Sequence, residues 1–406
     1  MKHLSNISEL LTLDGAYNKD GRNLLPEDIS LIENASLIYD ENEIIWIGPS
    51  QDVPPEYKSL ETLDLSGHCL TPEIVDSHTH LVFAGNRSAE YSMRLNGADY
   101  QEIAKSGGGI LSTSKATKEA SDSELLESAK ERIEKIYSYG VGSVEIKSGY
   151  ALNYEDEMRC SKIIKELKDH FSPRVNIYNT FLAAHAVPKD FDSSTSYLTK
   201  VCIPLMQDLA KDNIIDIVDI FHETGYFTLE DTKLLFDEAT KLKLKLKIHA
   251  DEFGDNGGAT IASEFDALSA DHLLCTGNDG IKSLANSKTV ATLLPGTGWF
   301  LGKPQAKGRL MQDEGCRVAL ASDFNPGSCH FDNLLQIASM AAPMYPLNMT
   351  EMWAAITLNA SSSLGANDQG AIVKGLAPRF SVFKCSKVSD ITYSWGKNLC
   401  DRSFNL

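Results

Sequence analysis

From about residue 70 onward the chain repeats one pattern, a short apolar run followed by a longer amphipathic stretch, which marks parallel βα units. Strands are expected at 73–76, 142–146, 175–182, 215–221, 244–248, 267–270, 289–294 and 317–321. Eight such strands close into a (β/α)8 TIM-type barrel, an α/β fold in which the C-terminal ends of all strands face one mouth. The connection after the first strand is long, and its clearest helix is expected over 123–139. Residues 1–70 read differently. Runs at 35–39 and 43–47 flank Asp40-Glu41-Asn42 as in a hairpin, and strand-like runs return at 369–373 and 379–383. The expected organisation is a barrel over 71–364 that interrupts a small β-sandwich domain built from 1–70 and 365–406.

The chemistry sits where those strands end. In Val75-Asp76-Ser77-His78-Thr79-His80-Leu81, alternation along a strand turns His78 and His80 to the same side, and two adjacent imidazoles make half a metal site. His249, in Lys247-Ile248-His249-Ala250-Asp251-Glu252, and Asp323, after Val318-Ala319-Leu320-Ala321-Ser322, follow the fifth and eighth runs. In a barrel these four side chains meet, so His78, His80, His249 and Asp323 are the expected metal ligands. Three neutral imidazoles and one carboxylate leave a bound cation with positive charge, enough to ionise a water near pH ~7 instead of ~15.7. Glu252, three residues beyond His249, is placed to shuttle a proton. His272, in Ser269-Ala270-Asp271-His272, is placed to orient the nucleophile or polarise a carbonyl, and His185 has a strand-end position suited to a substrate hydrogen bond. His3, His68, His170, His222 and His330 have no such context and are expected to be structural. Gly107-Gly108-Gly109 lacks the lysine and hydroxyl residue of a phosphate loop and reads as a flexible active-site loop.

Composition excludes several roles. The chain has 406 residues and a formal net charge of −18, against a nucleic-acid surface, which needs clustered Lys and Arg. Eight cysteines lack any CxxC spacing, so neither a disulfide framework nor a zinc knuckle is expected. The start, Met1-Lys2-His3-Leu4-Ser5-Asn6, does not read as a secretory leader, and no apolar run has the length of a membrane span. A cytoplasmic protein without nucleic-acid or membrane partners is expected.

Longer strings narrow the reading. Asp76-Ser77-His78-Thr79-His80-Leu81-Val82-Phe83-Ala84-Gly85-Asn86-Arg87, Val144-Glu145-Ile146-Lys147-Ser148-Gly149-Tyr150 and Ser322-Asp323-Phe324-Asn325-Pro326-Gly327-Ser328 resemble the imidazolonepropionases of the amidohydrolase superfamily. The resemblance covers nearly the whole chain. It implies hydrolysis of 4-imidazolone-5-propanoate to N-formimidoyl-L-glutamate in histidine degradation, with one Zn2+ or Fe ion per chain and a homodimer. It further implies that Arg87, Tyr150, His185, Glu252, Asn325, Gly327 and Ser328 contact substrate, while Glu252, His272 and Asp323 act in catalysis. The substrate is then a small molecule with a carboxylate, for which a guanidinium offers two parallel donors. Two strings depart from the family pattern: Cys329-His330 stands where a small hydroxyl residue is usual, and 373–380 replaces the usual strand near the end. The same ligand set also serves deamination of a heterocyclic base, and a barrel can be a catalytically silent scaffold. Arg87 argues against the first and the full ligand set against the second.

Overall fold

The computed structural model describes residues 1–98 and 108–403. Gly107, the first glycine of the triplet, lies outside the described residues; Gly109 stands at the head of helix Ile110–Glu119, and its N–H donates to Glu90 Oε1 at 2.9 Å.

The chain begins with β1 (Lys2–Leu11), β2 (Leu31–Tyr39), β3 (Ile44–Pro49), β4 (Thr62–Asp64) and β5 (Cys69–Pro72). With the late strand β15 (Phe380–Phe383) they form one sheet in the order β15-β5-β1-β2-β3, with β4 on β1. The hairpin forms where expected, Leu37 opposite Ile47, because Asp40 Oδ1 accepts the N–H groups of Asn42 and Glu43 and shapes the turn. Phe380 pairs with Pro72 and Phe383 with Cys69, so the two ends of the chain do rejoin. Leu4, Ile7, Leu10, Leu37, Ile44, Phe380 and Val382 give this sheet a core of its own. Two expectations need correction. Among the described residues the chain ends supply one six-stranded sheet instead of two facing ones. Residues 369–373 form no strand: Gly370 turns the chain at φ +93°, packed so closely on Leu358 that a Cβ would lie 2.8 Å from its Cα.

The barrel strands are β6 (Ile74–Asp76), β7 (Val141–Lys147), β8 (Asn176–Phe181), β9 (Ile217–Val218), β11 (Lys245–Ala250), β12 (Ser269–His272), β13 (Val290–Leu293) and β14 (Val318–Leu320), all parallel and adjacent in chain order. The expected run at 215–221 is split, since β10 (Phe221–His222) is separate. The break falls at Asp219, whose Oδ1 accepts the N–H of Ile220 at 2.7 Å and competes with the ladder. Helix Asp122–Tyr137 packs outside, started by a capping box in which Ser121 and Glu124 satisfy each other's backbone N–H groups.

The ring closes between its first and last strands just beyond their ends. Asp323 N–H donates to His78 O at 3.0 Å, His80 N–H to Phe324 O at 2.9 Å, and Ser322 N–H to Asp76 Oδ1 at 3.0 Å. The closure bonds therefore run through the candidate ligands themselves. Among the described residues no helix is long and apolar enough to cross a membrane.

Candidate active site

His78 and His80 leave β6 side by side, His249 comes from β11 and Asp323 follows β14; all four are buried. The ring nitrogens of His78, His80 and His249 come within 4.8 Å of one another, and Asp323 Oδ1 lies 3.5 Å from Nε2 of both His78 and His80. His78 Nε2 and His249 Nε2 are buried without a hydrogen-bond partner among the described residues. Orphaned lone pairs in a dry pocket are costly unless something accepts them, and a divalent cation is the partner this donor set fits. Burial, reinforced by neighbouring cationic groups, holds His78, His80 and His272 well below the usual imidazole range, so they are neutral as ligation requires. Asp323 has φ +50° and His272 φ +78°, backbone geometry rare outside glycine that turns both side chains into the mouth.

Beneath the histidines lies a layer of buried charge. His78 Nδ1 is 2.6 Å from Asp271 Oδ2, and His249 Nδ1 is 3.0 Å from Asp219 Oδ2. The first contact is a hydrogen bond, which fixes the proton of His78 on Nδ1 and leaves Nε2 free; His249 Nδ1 lies at ion-pair distance from Asp219 but outside hydrogen-bond geometry among the described residues. Lys147 Nζ lies 2.7 Å from Asp219, 2.8 Å from Glu145 and 3.7 Å from Asp271; Lys247 Nζ lies 3.1 Å from Glu145 and donates to Ser77 O at 2.6 Å. Burial pushes Asp219 up, but His249 and Lys147 outweigh it and hold the carboxyl well below its usual range. Burial also disfavours the Lys147 ammonium, and Asp219, Glu145 and Asp271 more than offset that.

Glu252 faces this pocket, with Oε2 3.8 Å from His272 Nε2. Burial, then the charges of Asp323 and Glu223, push its carboxyl up to about 8. Glu223 Oε2 in turn accepts the N–H of Phe253 at 2.7 Å and anchors the loop that carries Glu252. Asp323 is pushed up to about 6 by burial, opposed by the Thr297 hydroxyl, which donates to Oδ2.

The substrate-side candidates line the same mouth. Tyr150 is buried and His185 half-buried; the His185 ring stacks on His80 at 5.5 Å, and the Tyr150 ring is 5.6 Å from His80. Burial and the nearby His249 lower His185 to about 3, so it too is neutral. Arg87 is fixed on one edge of its guanidinium, Nε and Nη2 both donating to Glu90 Oε2 at 3.0 and 2.8 Å, which leaves the other edge for a ligand. Its Nη1 sits over Gly327 so closely that a Cβ there would lie 1.9 Å away. Asn325 braces the loop beneath: Oδ1 accepts the N–H groups of Gly327 and Ser328 at 2.8 and 2.7 Å, and Nδ2 donates to Asp323 O at 2.7 Å. A cleft of about 560 Å³ bordered by Asn86, Arg87, Phe324 and His330 opens outside Arg87. Cys329 is buried behind this loop, and His330, expected to be structural, lies tilted against Phe324 at the cleft rim, 4.9 Å between rings. His222 is held by Thr232 and Asn256, and His3 by Thr62.

The structure brings His78, His80, His249, Asp323, Glu252, His272, Tyr150 and His185 to one mouth, with Arg87 and the Asn325–Ser328 turn at its edge. The sequence reading missed Lys147, Lys247, Glu145, Asp219 and Asp271. A signal existed: in β7, Ser143, Glu145 and Lys147 alternate with Val144 and Ile146, which turns three polar residues to one face of a strand expected to be buried.

A closed parallel barrel with buried imidazoles and the carboxyls of Asp323 and Glu252 at its C-terminal mouth defines the class: the protein is a metal-dependent amidohydrolase. Solved structures agree on the fold. The chain is similar to a mutant of atrazine chlorohydrolase from Arthrobacter aurescens TC1 complexed with zinc and atraton, with TM-score 0.72 and 14% identity over 99% of this chain and 93% of that one. It is also similar to a guanine deaminase from C. acetobutylicum with bound guanine, with TM-score 0.66 and 15% identity over 94% and 90%. No family model matches the chain. Curated relatives are more specific. Imidazolonepropionase of Bacillus mycoides (strain KBAB4) is 39% identical over 97% of this chain and 92% of its own length, and that of Bacillus cereus (strain B4264) is 40% identical over the same shares. The chain belongs to the imidazolonepropionase family.

Proposed function

We propose that the protein opens the ring of 4-imidazolone-5-propanoate by adding water to its carbonyl and breaking the adjacent C–N bond, giving N-formimidoyl-L-glutamate, a step of histidine degradation. The observation that carries this reading is the relationship to curated imidazolonepropionases at 39–40% identity over 97% of the chain. His78, His80, His249 and Asp323 would hold one Zn2+ or Fe ion. When bound, it supplies Lewis acidity, making a water nucleophilic at neutral pH and polarising the carbonyl. A single ion suits the site, because the neighbouring group of His78, Glu145 and Asp271 already has the ammonium groups of Lys147 and Lys247 beside its carboxylates.

The remaining work belongs to side chains. Asp323 and His272 orient the attacking water. Glu252, poised near about 8 by burial and by Asp323 and Glu223, passes a proton to the departing ring nitrogen. Arg87 takes the propionate on its open edge, a local cation in a protein of net charge −18. Tyr150, His185, Asn325, Gly327 and Ser328 complete the contacts to ring and carboxylate. The reading includes a homodimer, which the family resemblance implies, and a cytoplasmic location, in keeping with eight free cysteines.

The test compares wild type and Arg87→Met on the acid and on an analogue without the carboxylate. A loss confined to the acid supports the carboxylate anchor; equal loss on both makes Arg87 structural and removes the argument against a neutral heterocycle.

A further inference from the structure

Two of the candidate ligands face carboxylates that both lie beside the Lys147 ammonium, Asp271 lying beside that of Lys247 as well. His249 Nδ1 faces Asp219 Oδ2 at 3.0 Å and His78 Nδ1 faces Asp271 Oδ2 at 2.6 Å, while Lys147 Nζ lies 2.7 Å from the first of those oxygens and 3.7 Å from the second. All of these side chains except His249 are fully enclosed, so their charges are shielded from bulk solvent. Lys247 is differently committed, to Ser77 O at 2.6 Å and Glu145 Oε2 at 3.1 Å, although it too lies 3.4 Å from Asp271.

We propose that Lys147 is a positioning residue for metal binding, holding Asp219 and Asp271 where they fix His249 and His78 with Nε2 turned to the ion. This rests on the metal reading of the previous subsection. Without the Lys147 ammonium, Lys247 alone is left among three buried carboxylates, Glu145 included, which repel one another and swing off the imidazoles. The histidines then lose their fixed orientation. Outer partners of this kind typically carry 10- to 100-fold in metal affinity. A purely through-space effect has the opposite sign, because deleting a positive charge beside a cation site tightens cation binding. The direction of the change therefore discriminates.

Removing one member of a buried ion cluster is strongly destabilising, so two variants are compared: Lys147→Met, and Lys147→Met with Glu145→Gln, which deletes a charge pair and leaves both histidine partners in place. Zn2+ affinity is measured by chelator competition on protein verified as folded by circular dichroism, and the Co2+ form is followed by its visible absorption. Affinity falling roughly 10- to 100-fold in the folded variant, with an altered Co2+ spectrum, supports the proposal. Unchanged or tighter binding with an unchanged spectrum overturns it. In an Asp219→Asn background the lysine deletion should cost less than in wild type, and strictly additive losses would overturn the route through Asp219. Wild type is titrated first: failure to bind an ion overturns the metal reading itself, whereas tight wild-type binding with unaltered variants overturns only the role of Lys147.

Discussion

Burial and the carboxylates of Asp323 and Glu223 raise the Glu252 carboxyl to about 8, which suits the proton transfer proposed for it. Glu252→Gln keeps the shape and loses that capacity, so metal content should be unchanged while kcat falls roughly 10²- to 10⁴-fold. Single-turnover rates on metal-loaded protein check this, and a near-normal rate removes Glu252 from the mechanism. Arg87→Met deletes one charge-assisted contact of about 1.5 to 3 kcal/mol, so kcat/KM on the acid should fall roughly 10- to 10²-fold with the metal still bound. Lysine should rescue only in part, because it lacks the planar fork that Glu90 fixes on one edge. His78, His80, His185, His249, Glu252, His272 and Asp323 were legible because each follows an apolar run, whereas Tyr150, Arg87 and the Asn325–Ser328 turn were named only through the family resemblance. Asp219, Asp271, Lys147 and Lys247 were not singled out, because their meaning lies in partners contributed by other strands, 72 residues apart for Lys147 and Asp219.

The turn carrying Asn325, Gly327 and Ser328 positions Arg87 by leaving room above Gly327. Gly327→Ala puts a Cβ 1.9 Å from Nη1 and must move either the guanidinium or the loop. Overpacking of this kind costs about 1 to 3 kcal/mol, so KM for the acid should rise by roughly 10-fold with kcat less affected and metal content intact. Steady-state kinetics beside metal analysis decide it; an unaltered KM would mean that Arg87 does not reach the substrate from this position. Elements were legible to different depths. All eight barrel strands lie where apolar runs predicted them, since a strand buried on both faces leaves a continuous signal. The run at 215–221 broke because the Asp219 side chain takes a backbone N–H, and 369–373 failed as a strand because Gly370 turns at φ +93° against the preceding helix, Leu358–Ser362. Neither cause is visible in local periodicity.

Barrel closure and ligand placement are one event, because the closing hydrogen bonds join 78–80 to 323–324. An ion at that seam should stabilise the entire fold, with a pH dependence set by Asp323 and Glu252. Both carboxyls are raised in the ion-free fold, to about 6 and about 8, so the stability they lend is present below their ordinary values near 4 and is lost as pH rises through the raised ones. Below about 6 a proton also competes with the ion for Asp323. The increase in Tm on adding Zn2+ should therefore grow from pH 5 to pH 7, and melting curves with and without the ion at each pH test it; a shift that shrinks over this range contradicts the assignment of Asp323. The most direct test of the account is to incubate the protein, loaded with one ion per chain, with 4-imidazolone-5-propanoate and measure N-formimidoyl-L-glutamate. The account predicts product in proportion to bound metal, lost on chelation and restored by readdition; absence of product from fully loaded protein, or full turnover after exhaustive chelation, would contradict it.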